Sequence, residues 1–308
     1  MSAREALGAF VLAFALVLAG TVGAAVLVGG PGPADPAAAP ETPAYGTDSL
    51  LPDPVPEDGA VTAPEAEGDG KTVVVDIAHG NADTVAIQPF VNALVRAGHK
   101  VEMYRGEERV GSAADTLNET LRGADAFVVP SPGERHTEAA ANGVAAFADA
   151  GGRVLLLGEP ADTSELAAGR PTMLANAFGV HFDDGYLYDM DENANHFQGV
   201  YGNGADGSAI GAGVERAVFR GAVPLVSDGG TPAVRAASVN LSSTRDGGDY
   251  DVVVRSGNAT VVGDADFLTA GQATAGGNDV LASNLAAFLV GGEKEAGAPA
   301  SERSRAAA

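Results

Sequence analysis

The chain has 308 residues, of which 18 are Lys or Arg and 41 are Asp or Glu, giving a formal charge of −23. A surface this acidic repels phosphate backbones and excludes nucleic acid as a natural partner. Cysteine is absent, which excludes disulfides, thiolate metal sites and a Cys nucleophile; Trp is absent too, so the core must be built from Val, Leu, Ala and Phe. The acid is spread along the chain and Lys is scarce, a pattern suited to high salt, where carboxylates keep a surface hydrated.

Residues 1–5 precede an apolar stretch from Ala6 to Gly30, 25 residues without a charge. As a helix it would reach roughly 37 Å, enough to span a hydrocarbon core of about 30 Å with every backbone group satisfied internally. It outruns the apolar region of a cleavable signal peptide, so the expectation is a single-pass anchor. Arg4 precedes it, and no Lys or Arg follows until Lys71. The positive-inside rule then puts the N-terminus in the cytoplasm and the main domain on the extracellular side of the cell membrane. Three sequons, beginning at Asn118, Asn240 and Asn258, would suit an exported chain.

Residues 31–70 hold nine prolines, nine acidic residues and no basic one, the composition of a disordered, charge-extended linker. Residues 71–290 alternate short apolar runs with helical patterns. Thr72–Asp76, Lys100–Tyr104, Asp125–Val129 and Arg153–Leu157 read as strands, and the stretches between them as helices, with Gly98, Gly123 and Gly151 at the helix ends. Four such runs separated by helices predict a mostly parallel sheet covered on both faces, a three-layer sandwich. From about Pro171 the rhythm changes to a β-rich insertion. The chain then returns through Ala259–Gly263 to a closing helix at Asn278–Val290, and residues 291–308 read as a disordered tail.

In open α/β sheets, ligands collect beyond the carboxyl ends of the strands. The polar residues expected there form one crest: Asp76, His79 and Asn81 after the first strand, Ser131 and Glu134 after the third, Glu159 after the fourth, and Asp264 and Asp266 after the returning strand. Carboxylates with one His could bind a divalent ion or act as acid and base. Ser131 with His79 and an Asp could imitate a hydrolase triad, although no G-x-S-x-G elbow surrounds it. The alternative is that these residues cap helices and shape turns. The run Asp189-Met-Asp-Glu-Asn-Ala-Asn195 spaces oxygen ligands like the start of a calcium loop, but it lacks the Gly and the closing Glu.

The segments Val-Val-Val-Asp76-Ile-Ala-His79-Gly80-Asn81, Asn176-Ala-Phe178-Gly179-Val-His-Phe and Val-Val-Gly263-Asp264-Ala-Asp266-Phe267-Leu resemble uncharacterised, often membrane-anchored prokaryotic domains of the class I glutamine-amidotransferase-like superfamily. That group also includes auxiliary domains of gliding-type ABC transporters and intraflagellar transport proteins. The resemblance implies a flavodoxin-like fold. In the catalytic members the strand matching Arg153–Leu157 runs into the Cys elbow; here the turn is Gly158-Glu159-Pro160, so amidotransferase activity does not carry over. The sequence thus points to a non-catalytic binding or scaffolding domain, accessory to an envelope or transporter-type complex. A surface hydrolase using Asp76, His79 and Asp264 or Asp266, with or without a metal, is the alternative. No residue is assigned a catalytic or metal-binding role, and no cofactor is assigned.

Overall fold

The computed structural model describes residues 55–57, 59–81, 87–106, 113–160 and 170–299. The segment 6–30 expected to cross a membrane lies outside the described residues, among which no helix is long and apolar enough to do so.

The parallel core follows the chain. β1 (Thr72–Asp76), β2 (Lys100–Tyr104), β3 (Ala126–Pro130), β4 (Arg153–Leu157) and β12 (Ala259–Val262) lie side by side in the order β2-β1-β3-β4-β12. This is the flavodoxin-like arrangement. Because side chains alternate across a strand, each of these short runs feeds two cores. Val73 and Val75 of β1, with Val128 and Leu155, meet Phe90 and Leu94 of α1 (Gln88–Arg96) and Leu281, Leu285 and Leu289 of α5 (Asn278–Val290). Val74, Phe127, Val129 and Leu156 face the other way. They meet Leu117 and Leu121 of α2 (Ala113–Gly123) and Val144 and Phe147 of α3 (Glu138–Asp149). Continuous apolar runs are what a sheet buried on both faces requires. α1 ends where expected, at Gly98, whose φ of +91° is a conformation that side-chain-bearing residues avoid.

The β-rich insertion does not form a separate layer. After α4 (Thr172–Ala177), β5 (Val180–Phe182) pairs with β9 (Leu225–Ser227) as a two-stranded ribbon. β6 (Leu187–Tyr188), β7 (Gly199–Gly204), β8 (Ala217–Arg220), β10 (Thr231–Leu241) and β11 (Gly247–Ser256) instead extend the main sheet, in antiparallel fashion, beyond β12. The Asp189 loop is closed on itself. The Asp189 carboxylate accepts from the amides of Asp191 and Glu192, and Glu192 pairs with Arg216, so its oxygens serve the turn and the fold.

Packing also reaches past both expected boundaries of the body. A strap before β1 descends along α5: Pro56 accepts from the Gly276 amide, Thr62 donates to Ser283 Oγ, and Ala66 donates to Ala97. Val61 of the strap is buried in the core. At the other end Glu295 donates to Ala150, and Lys294 donates to the carbonyls of Arg122 and Ala298. Two sequons are absorbed by the fold. Asn118 is buried, and Asn258 accepts from Arg153 while donating to Ala148. A glycan on either side chain is incompatible with this packing.

Where β12 returns to the core, the chain touches the β8–β9 connection. Val223 donates to the Gly263 carbonyl, and a Cβ added at Gly263 would run into the Val223 carbonyl oxygen, a backbone atom that cannot step aside. Gly263→Ala is therefore expected to lower stability by about 1–3 kcal/mol, measured as a shift in the urea midpoint at unchanged m-value.

Candidate functional site

The buried carboxylate of Asp76, at the carboxyl end of β1, organises the crest. Its Oδ1 accepts from the Ala78 amide at 2.9 Å. Its Oδ2 accepts two imidazole contacts, His79 Nδ1 at 2.8 Å and His136 Nε2 at 2.8 Å. The two rings stack with centroids 3.8 Å apart. Asp76 and His136 are buried, whereas the side chain of His79 keeps 18% of its surface in solvent. Burial alone would raise the Asp76 pKa; the hydrogen bonds from His136 and His79 outweigh it and hold the carboxyl at about 2. For His136, burial wins over the Asp76 hydrogen bond and moves the pKa below its ordinary value.

Local structure fixes each member. Thr137 is the N-cap of α3, its hydroxyl accepting from the Ala140 amide, and this anchors the preceding His136. On the other loop, Gly80 turns at φ +72° and lets the chain double back. Asn81 then accepts from the His79 amide and donates to Pro130 at the end of β3. Glu134 contributes through its backbone, donating to the His79 carbonyl at 2.8 Å, while its side chain points to solvent. Ser131 makes the first turn after β3 with φ +31°, its amide donating to Leu157. Beside His136 opens a cleft of about 250 Å³ lined by Arg135, His136, Arg170, Pro171, Thr172, Met173 and Asn176. Arg170 is one of its fixed walls, donating to the carbonyls of Glu159 and Asp183.

The crest foreseen from sequence thus separates into two centres. Asp76, His79, Asn81, Ser131 and Glu134 lie at β1 and β3, and they are joined by His136, which the sequence reading missed. Glu159, Asp264 and Asp266 lie at β4 and β12. Since β3 and β4 intervene between β1 and β12, Asp264 stands three strand spacings from Asp76, about 14 Å. Asp76, His79 and Asp264 or Asp266 therefore cannot act on one atom. The one clue to His136 was its place just before a helix-capping Thr, at the carboxyl end of a strand.

In the second centre Glu159 Oε1 accepts from the amides of Ala265 at 2.6 Å and Asp266 at 3.0 Å. The fully buried Asp264 accepts from the Asp266 and Arg220 amides, both at 2.6 Å. Burial, then the neighbouring charges of Asp264 and Asp266, push Glu159 up to about 9. Burial raises Asp264 as well, but the amides of Arg220, Asp266 and Phe267 favour its ionised form, so the proton of the pair resides on Glu159. An unfolded Glu159 releases its proton near 4.5, while the folded one holds it to about 9. Between these values the folded state binds the extra proton, and stability falls as pH rises. Glu159→Gln, neutral at every pH, is expected to flatten that slope and to add about 1–3 kcal/mol at pH 8, read from denaturation midpoints across pH 5–9.

The sequence matches no protein-family model and no curated protein. Solved structures do align with it. The mmIFT52 N-terminal domain superposes with a TM-score of 0.55 at 13% identity, covering 68% of this chain and 93% of that one. A putative ThuA-like protein from Bacteroides uniformis gives a TM-score of 0.46 at 13% identity over 76% of this chain and 95% of its own. Another from Parabacteroides merdae gives 0.42 at 13% identity over 72% and 89%. At such identities the likeness to the mmIFT52 domain is one of fold.

Proposed function

We propose that this chain is a membrane-anchored envelope protein whose α/β body, of the glutamine-amidotransferase-like type, binds a small polar ligand outside the cytoplasm and serves an envelope or transporter-type complex. The observation that carries the binding role is the Asp76–His79–His136 centre beside the cleft at α4. Polar groups converge there at the carboxyl ends of parallel strands, and the sequence around Ser131 beside them is not a G-x-S-x-G elbow. The turn where an amidotransferase would carry Cys holds Glu159 instead, with its carboxyl tied to two amides. The anchoring, the orientation and the partner complex are supported by the 25 uncharged residues from Ala6 to Gly30 and by the charge asymmetry around them.

One observation favours a second reading, a surface hydrolase. His136 is held by a buried carboxylate in the manner of an oriented general base, and its ring borders the cleft. Such an enzyme would draw on His136, not on Asp264 or Asp266.

Two measurements test the placement and the role. Protease added to intact cells is expected to digest the body; protection in cells with digestion in lysates would overturn the extracellular placement. The full-length chain in detergent, treated with chelator, is expected to release no ammonia from glutamine and no p-nitrophenol from p-nitrophenyl acetate above the heat-denatured background. Turnover that persists after chelation and vanishes in His136→Gln would replace the binding role with a hydrolytic one.

A further inference from the structure

We infer that Asp76, His79 and His136 form a three-ligand site for a divalent transition-metal ion, with its open coordination position toward the cleft beside His136. The inference deepens the binding role proposed for this centre and rests on it.

Three facts carry it. Donor type comes first: two imidazole nitrogens and one carboxylate oxygen suit zinc, or iron and cobalt in their divalent states, while a calcium or magnesium ion calls for an all-oxygen shell. Position comes second. One donor atom from each of Asp76, His79 and His136 lies within 4.8 Å of the others, and His79 Nδ1 and His136 Nε2 each stand 2.8 Å from Asp76 Oδ2. Donors bound at about 2.0–2.2 Å around a tetrahedral ion stand roughly 3.4 Å apart, so each imidazole need withdraw from the carboxylate by only about half an ångström to admit one. Among the described residues no other set of three His, Cys, Asp or Glu side chains meets this spacing.

The third fact is the convergence of the two histidines. Two rings, stacked at 3.8 Å, both reach Asp76 Oδ2, so the carboxylate oxygen and an imidazole nitrogen from each ring already face one point, which is the arrangement a cation needs. The supporting contacts have the character of an outer shell. Ala78 fixes the non-ligating oxygen, Asn81 fixes the His79 loop to β3, and the Thr137 cap fixes His136. Three protein ligands leave the ion a further position, as in sites where a bound water or ligand completes the shell.

The full-length chain in detergent, stripped with chelator, should be titrated with Zn²⁺ by calorimetry in excess Mg²⁺, which occupies the acidic surface, and with Co²⁺ by visible absorption. One ion per chain is expected, with a Co²⁺ band of low-symmetry coordination. Losing an outer-shell partner weakens metal binding by about 10–100-fold, so His79→Gln and His136→Gln should weaken it by more than that. Glu159→Gln should leave it unchanged. His79 is partly exposed, so His79→Gln tests the site even where His136→Gln destabilises the fold, and thermal unfolding of each metal-free variant separates the two effects. Absence of stoichiometric uptake, or uptake indifferent to both histidine substitutions, would overturn the metal site. If that absence comes without chelator-resistant turnover, the binding role survives; such turnover refutes the role itself.

Discussion

A carboxylate placed at the end of a buried parallel strand has to be answered by donors, and in this protein the answer given to Asp76 determines the architecture of the crest. Three donors converge on it: the amide of Ala78 and the rings of His79 and His136. To supply them, the β1–α1 loop must fold back through Gly80, and the β3–α3 connection must bring His136 down onto β1. The two loops are then locked to each other, Asn81 to Pro130 and Glu134 to His79. Breaking such a buried pair by removing one partner costs several kcal/mol, because it strands the other. The centre is therefore rigid, and a rigid polar centre beside a cleft is what recognition needs.

The second carboxyl centre shows the same physics with the opposite outcome. Asp76 meets imidazoles and stays ionised; Glu159 meets Asp264 and Asp266 and keeps its proton. It ties β4 to the segment following β12.

The parallel half of the fold was legible because each strand is a short apolar run between helical patterns. The closing helix was found at Asn278–Val290 for the same reason. The arm beyond β12 was legible only as β-rich. In β10 the register against β11 shifts three times and Ser238 turns to φ +58°, so the apolar alternation that marks a strand is broken. The strap before β1 was hidden by its composition, since among so many prolines and acids a single buried side chain, Val61, marks the contact. Half of the Asp76 centre could be read from Asp76 and His79, three residues apart. The other half lies 60 residues along the chain and becomes adjacent only because β3 pairs with β1. Likewise Asp264 joined the same crest on paper because sequence gives strand ends but not the distance across the sheet.

The strap has a geometric consequence of its own. It starts at Pro56 beside Gly276, where α5 begins, and α5 begins at the rim where β12 ends. The tail at Glu295 leaves from the opposite rim, near Ala150 at the foot of β4. Strap and tail thus leave the body at opposite rims, and because no strand of the sheet includes a strap residue, peeling the strap back would uncover Val61 and one flank of α5 while every strand pair stayed intact.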